Sequence, residues 1–344
     1  MPRLFLFLPI ALPALLVSAF AQTGPLLVNA SYTRPILNVA PGQIVTLQVA
    51  GLKTILPCAD PTCVTERIQQ SPAPLPTMLA GISVTIKQYY QQFLAFPYVF
   101  RGSYQLPIIS IRQVFVCDTT STALTSNPNP APTTPECYMA FLTVQIPFEL
   151  LFNAPANPSV GTEVVISENG TDSQPFSVNV VPDHIHVVTT CDNARGQSTC
   201  QSIVAHADGT LVTSNSPAVL GETVVIYAWG LGSTSPRVKT GAVTPEPAPV
   251  VAIFGSSPSS PKGPGVRFDF SPNAALSAAS DTGTLTAPAY LTPEQIGLYQ
   301  VNVQLPATFP AVPTCGPNVQ SNLTINLSGA LSSDGAAICV QPTK

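Results

Sequence analysis

One stretch of this chain is written twice, and that fact constrains the fold more than any other. The run from Gly42 to Leu52 (GQIVTLQVAGL) aligns without a gap to Gly221 to Leu231 (GETVVIYAWGL). Further along, Leu142 to Pro147 (LTVQIP) matches Val301 to Pro306 (VNVQLP), and Val164 to Ile166 matches Leu323 to Ile325. A last block, Phe176 to Val181, matches Ala336 to Val340 with one residue of slippage. The copies lie roughly 160 to 180 residues apart, too far for a solenoid unit, so each copy is expected to be a domain with its own core.

The repeated blocks read as strands. Val45, Leu47 and Val49 alternate with polar residues, as do Val224, Ile226 and Ala228, which buries one face of an antiparallel sheet. Turns rich in Pro, Gly, Asn and Ser separate these short strands, the pattern of a β-sandwich. Charged residues make up only 9% of the chain, against roughly a quarter in an ordinary soluble protein, so long amphipathic helices lack the charged faces they need. Trp229, the only Trp, reads as core packing.

The first residues set the compartment. Arg3 precedes an apolar run from Leu4 to Val17, and Ala19-Phe20-Ala21 has the small-residue pattern of a cleavage site. This is the pattern of a secretory signal peptide, residues 1–21, with mature protein expected from Gln22. No later apolar run reaches the length of a membrane span, so no membrane insertion is expected after signal cleavage. With 13 Lys+Arg against 17 Asp+Glu and no basic cluster, nucleic acid is excluded as a partner on electrostatic grounds.

Eight cysteines in an exported chain form an even set suited to disulfides. They fall in order into four neighbouring pairs: Cys58 with Cys63, Cys117 with Cys137, Cys191 with Cys200, and Cys315 with Cys339. None of the spacings is the short knuckle that zinc favours. The resulting division is a first repeat over 22–182, a disulfide-closed connection over 183–202, and a second repeat over 203–344. The first repeat is about twenty residues longer between its Gly-Leu corner and its Gln-Ile-Pro strand, and such insertions at sandwich ends are where binding is usually placed.

The second repeat resembles a known family. Ala207 to Leu211 (ADGTL), Asn215 to Ala218 (NSPA), Gly221-Glu222, the Gly230-Leu231-Gly232 corner and above all Gly297 to Pro306 (GLYQVNVQLP) occur in the order found in the Solibacter-type immunoglobulin-like C-terminal domain of exported acidobacterial proteins. The resemblance covers roughly Ile203 to Gln341 and implies an immunoglobulin-like module in an extracytoplasmic protein. The first repeat, without the Gly-Leu-Tyr-Gln part, resembles it only through the second. No catalytic residue is carried over. The fold expected is therefore all-β, two tandem immunoglobulin-like sandwiches after a signal peptide.

Two constellations stand out chemically. His184 and His186 are spaced to share one face of an extended strand, and His206 with Asp183 or Asp208 would complete a zinc or copper site. The simpler reading is a half-buried connecting strand with two exposed imidazoles, and no metal or other cofactor is assigned. Seven aromatics fall between Tyr89 and Tyr104. Tyr89, Tyr90, Phe93 and Phe96 would offer a platform for sugar rings or peptide if exposed, and a core or edge hairpin if not. Motifs for a nucleophile elbow, a zinc-protease helix or a phosphate loop do not occur. A carboxylate pair drawn from Glu149, Glu163 and Asp269 keeps hydrolysis open. Sequons at Asn29, Asn169, Asn322 and Asn326 matter only in a host that glycosylates exported chains, which a bacterial resemblance argues against.

The reading that follows is a secreted, non-catalytic structural or adhesive protein, periplasmic, at the cell surface or extracellular. Its expected partner is an extracellular protein or glycan. The alternatives are a carbohydrate-binding accessory protein and, third, an extracytoplasmic hydrolase.

Overall fold

The computed structural model describes residues 25–30, 37–58, 66–90, 99–117, 135–151, 160–192, 200–252, 263–274 and 281–341. The signal segment, Cys63, Phe93 and Phe96 lie outside them. Within them the chain is all-β, with one 3-10 turn at Pro135–Cys137 and no α-helix. No helix among the described residues is long and apolar enough to cross a membrane.

Two sheets build the first half. Sheet I runs β1 (Leu26–Ala30), β3 (Ile44–Ala50), β9 (Tyr138–Gln145), β8 (Ile108–Phe115), β4 (Glu66–Gln70). Sheet II runs β2 (Leu37–Val39), β12 (Phe176–Val180), β10 (Val160–Glu168), β6 (Ile82–Tyr90), β5 (Met78–Leu79), with β11 (Thr171–Asp172) on β10 and β7 (Val99–Gln105) on β6. The alternation seen in the sequence turns Val45, Leu47, Val49, Leu142 and Val144 of sheet I onto Val84, Ile86, Val164 and Ile166 of sheet II in one hydrophobic core.

Two further sheets build the second half. Sheet III runs β13 (His186–Val187), β15 (Thr223–Trp229), β22 (Tyr299–Gln304), β21 (Tyr290–Leu291), β17 (Val250–Val251), β16 (Thr234–Ser235), with β14 (Val204–His206) on β15 and β20 (Thr284–Leu285) on β22. Sheet IV runs β19 (Asp281–Thr282), β18 (Gly265–Asp269), β23 (Leu323–Ser328), β24 (Ser333–Ile338). Val224, Ile226, Val301 and Val303 of sheet III face Val266, Phe268, Leu323 and Ile325 of sheet IV in a second core.

The two halves share registers. Ile44 pairs with Gln145 in β3–β9, and Thr223 pairs with Gln304 in β15–β22. Val39 pairs in parallel with Val180, and Ala218 pairs in parallel with Val340. The N–H of Ile146 donates to the carbonyl of Gln43, and the N–H of Leu305 to that of Glu222. Tyr299 marks a difference: its buried hydroxyl donates to the Gly232 carbonyl, tying β22 to the Gly230 to Gly232 corner. Ala140 stands at the matching place of β9 and cannot make that bond.

The sandwiches are joined by side chains as well as by the chain. Phe148, just past β9, is packed into the second core. Its N–H donates to Thr240 Oγ1 at 2.9 Å, and that hydroxyl donates to Glu149 at 2.6 Å. Gly241 donates its N–H to Gln145 Oε1 at 2.6 Å and accepts from the N–H of Leu75. Gly42 and Gly297 have positive φ, and a Cβ on Gly297 would sit 2.7 Å from the Gly42 carbonyl oxygen. The halves meet this closely only because Gly297 lacks a side chain.

Three of the four expected disulfides are present, Cys117–Cys137, Cys191–Cys200 and Cys315–Cys339. Cys58 is also disulfide-bonded, and Cys63, its expected partner, lies outside the described residues. Such bonds persist in oxidising, extracytoplasmic compartments.

Candidate functional site

The chain leaves the first sandwich at β12 and enters the second through Pro182 to Thr189, and here the polar chemistry of the molecule concentrates. Asp183 comes first and is fully buried. Its carboxylate accepts the N–H groups of Ala330, Leu331 and Ser332 and the Ser332 hydroxyl, so it organises the turn between β23 and β24. A Cβ at Gly329 would fall 2.2 Å from Asp183 Oδ1. Ile185 then donates to Ser332 Oγ and Val187 to Asp334 Oδ2. Ile185 and Val187 also enter the second core, so this part of the connection is built into the second sandwich.

His186 faces the opposite way from Ile185 and Val187, as alternation requires. Its Nε2 lies 2.8 Å from Asp192 and its Nδ1 3.4 Å from Asp334. The Asp192 carboxylate also accepts the N–H and hydroxyl of Thr189, at the mouth of the Cys191–Cys200 loop. Burial opposes a charge on His186, but hydrogen bonds and charges from Asp192 and Asp334 outweigh it and hold the imidazole up to about 9. The ring is an imidazolium clamped by two carboxylates. Trp229 stacks on it with centroids 5.8 Å apart, across the His186 to Trp229 strand pair. The reading of an exposed imidazole does not hold for His186, whose side chain is 17% exposed. Nor is Trp229 part of the core: it follows Ala228 on the other face of β15.

The other two histidines are elsewhere engaged. His184 Nδ1 is 3.0 Å from Gln43 Nε2 of the first sandwich. Burial lowers its affinity for a proton, neighbouring His186 lowers it further, and Asp183 and Asp334 oppose them without prevailing. His206, on β14, pairs through Nδ1 with Glu222, not with Asp183 or Asp208. Burial opposes its charge, but the Glu222 hydrogen bond, the Ser216 carbonyl and the charges of Glu222 and Asp208 raise its proton affinity. The structure thus separates the three rings, each with its own partner, and no group of three or more His, Cys, Asp or Glu suited to a metal forms among the described residues.

The aromatic stretch lies in sheet II. Tyr89 on β6 and Phe100 on β7 are cross-strand partners at a bulge, with rings edge to face and centroids 5.8 Å apart. Phe100 is 56% exposed, and Tyr89 is half-buried. Partial burial and the charge and hydrogen bond of Glu163, on neighbouring β10, push the Tyr89 phenol upward. Lys87 is paired across the strands with both Glu163 and Ser103. Tyr90 continues β6 opposite Val99. Alternation on β6 sends Val84 and Ile86 to the core and Lys87 and Tyr89 to the outer face, so the patch is a polar sheet face carrying an aromatic pair.

The three carboxylates weighed for hydrolysis sit on separate elements. Glu149 receives Thr240 at the joint, Glu163 belongs to the sheet II face, and Asp269 on β18 accepts the N–H of Ser271. Among the sequons, the Asn322 amide is a structural clamp: Nδ2 donates to the carbonyls of Pro313 and Val340 while Oδ1 accepts the N–H of Val340. Compared with protein-family models and with curated proteins, the chain matches none.

Proposed function

We propose that this chain is an exported protein of two tandem immunoglobulin-like sandwiches that acts by presenting surfaces rather than by chemistry, as a structural or adhesive component outside the cytoplasm. The observation that carries the reading is the joint. Phe148 is buried in the neighbouring core, and Gln145, Thr240, Gly241 and Leu75 are hydrogen-bonded across it, which holds two sheet pairs as one stiff body. A stiff disulfide-stapled pair suits a spacer or adhesin, in which a face must be held at a fixed angle. Export is supported by the signal pattern at residues 1–21 and by the disulfides. The immunoglobulin-like and repeat reading is supported by the shared registers, and kinship to the Solibacter-type domain by the Gly297 to Pro306 block with its Tyr299 to Gly232 tie.

Small-angle scattering of the purified protein tests the reading. A profile fitted by a single rigid two-body particle is the expected result, and one that demands freely reorienting bodies would sink it. The exposed Phe100, stacked edge to face on half-buried Tyr89 beside Lys87, Glu163 and Ser103, favours a second reading, carbohydrate binding, since aromatic faces stack on sugar rings while polar neighbours orient them. A glycan array with wild type and Phe100→Ala separates the two. Retention lost in a variant that melts normally supports the platform, and no retention by wild type rejects it.

A further inference from the structure

The joint contains one contact that depends on a proton. Gln43 is fully buried in the turn entering β3, and its Oε1 accepts the N–H of Ala40 at 2.8 Å. That bond fixes which end of the amide is which, so the end facing His184 Nδ1 at 3.0 Å is the NH2 group. An amide NH2 can only donate. Nδ1 must therefore present a lone pair, and His184 must be neutral with its proton on Nε2.

The second sandwich builds the same turn with the opposite demand. Glu222 occupies the place of Gln43: its Oε2 accepts the N–H of Val219 at 2.7 Å, and its Oε1 faces His206 Nδ1. A carboxylate can only accept, so His206 must carry a proton on Nδ1 and is favoured in its charged form. Each sandwich thus anchors its turn with a side-chain oxygen three residues on, and the atom left over selects the histidine's protonation state.

His184 is also one of the residues that hold the two bodies together. Its N–H donates to the Gly230 carbonyl at 2.8 Å, and a Cβ on Gly230 would sit 2.0 Å from the His184 carbonyl oxygen, so its backbone is fixed to the second sandwich. Its ring reaches the first. We propose that His184 is an acid-sensitive latch between the two sandwiches, accepting a hydrogen bond from Gln43 when neutral and releasing it, with weakened coupling of the two bodies, when protonated.

The groups around the ring agree. His186 on β13 is positive and repels a second charge, while Asp183 in the connection and Asp334 on β24 are the facing carboxylates. Asp183 is already occupied by the donors of residues 330–332, and Asp334 by the N–H groups of Val187 and Gly335 and by His186. Burial and His186 accordingly lower the proton affinity of His184 from its ordinary value. Each pH unit of that depression, relative to a released ring, is a tenfold weaker latch once the pH lies below both values.

Two measurements on the purified, disulfide-intact protein test this. Imidazole NMR should show His184 as the Nε2–H tautomer at pH 7.5, titrating below about 6.5, with His206 and His186 titrating above it. Hydrogen-exchange protection of Gln43 and His184, corrected for intrinsic rates, should be lost progressively between pH 7 and the acid side of the His184 titration, while the 219–222 turn keeps its protection. Gln43→Glu copies the second sandwich into the first, and should lift the His184 titration above 6.5 and abolish the acid loss. A proton on Nδ1 at pH 7.5, a wild-type titration above 6.5, or equal acid loss in wild type and Gln43→Glu would each overturn the proposal. The tautomer and titration need no variant, so a Gln43→Glu protein that failed to fold would not shelter it.

Discussion

Raising the pH from 6 to 9.5 should destabilise the second sandwich through one residue, His186. Its proton is bound between Asp192 and Asp334 and held up to about 9, whereas in the unfolded chain an imidazole titrates near 6.5. A group whose proton affinity rises on folding contributes stability that is complete below the unfolded value and is lost as pH climbs through the folded one. The window is therefore about 6.5 to 9. At 1.36 kcal/mol per unit the contribution is about 3 kcal/mol. The side chain is 17% exposed, so screening by water removes little of it.

Denaturant unfolding followed by Trp emission reads this directly, because Trp229 is the only Trp and stacks on the titrating ring. Other groups contribute as well, His206 among them with its raised proton affinity, so the informative quantity is the difference between wild type and His186→Gln at each pH. That difference should favour wild type at pH 6 and shrink by about 3 kcal/mol by pH 9.5. Parallel profiles across the window would show that His186 holds no extra proton in the folded protein, and the clamp would be wrong. Asp334→Asn is the companion variant: it should weaken the wild-type slope without abolishing it, since Asp192 remains.

The joint and the connection give further expectations. Phe148→Ala should cost about 3 to 5 kcal/mol and separate the melting of the two sandwiches, visible as a second transition in calorimetry. Asp183→Ala orphans the N–H groups of residues 330–332 and should destabilise by about 3 kcal/mol in denaturant unfolding. Gly230→Ala puts a side chain at φ 77 against the His184 carbonyl and should cost about 2 kcal/mol or more, far beyond the same change at Gly209, where a Cβ meets nothing. Tyr299→Phe removes the bond to Gly232 and leaves that carbonyl buried without a donor, a loss of about 1 to 2 kcal/mol in the same assay.

What could be read from the sequence was whatever is written locally or twice. Strand phase follows from side chains that alternate over a few residues, and the same phase already placed Trp229 opposite Val224, Ile226 and Ala228, although its size alone suggested the core. The cysteines pair with sequence neighbours because each pair closes one loop, and three of those pairs are described. The histidines drew notice from the sequence, but their partners did not. Asp334 reaches His186 from the far end of the chain, and Gln43 reaches His184 across the joint, contacts that no spacing rule encodes. The aromatic stretch was visible as composition, yet the pairing of Tyr89 with Phe100 depends on a bulge between β6 and β7.

The difference between the two sandwiches that matters most is therefore not in their cores. Val45 and Val224, Leu47 and Ile226, Val144 and Val303 keep the same inward places and need only remain apolar, because packing tolerates such exchanges once volume is conserved. A polar pair such as Gln43 and Glu222 behaves differently. Both side chains hold their turn by an identical oxygen contact, so the fold accepts either residue. The second atom of each faces a histidine, one from the connecting segment and one from the sandwich itself, and there amide and carboxylate demand opposite protonation states. A single amide-for-acid exchange at a position neutral to the fold is enough to make one contact require a proton on its histidine and the other require that proton's absence. The sensitive one lies where the two bodies meet.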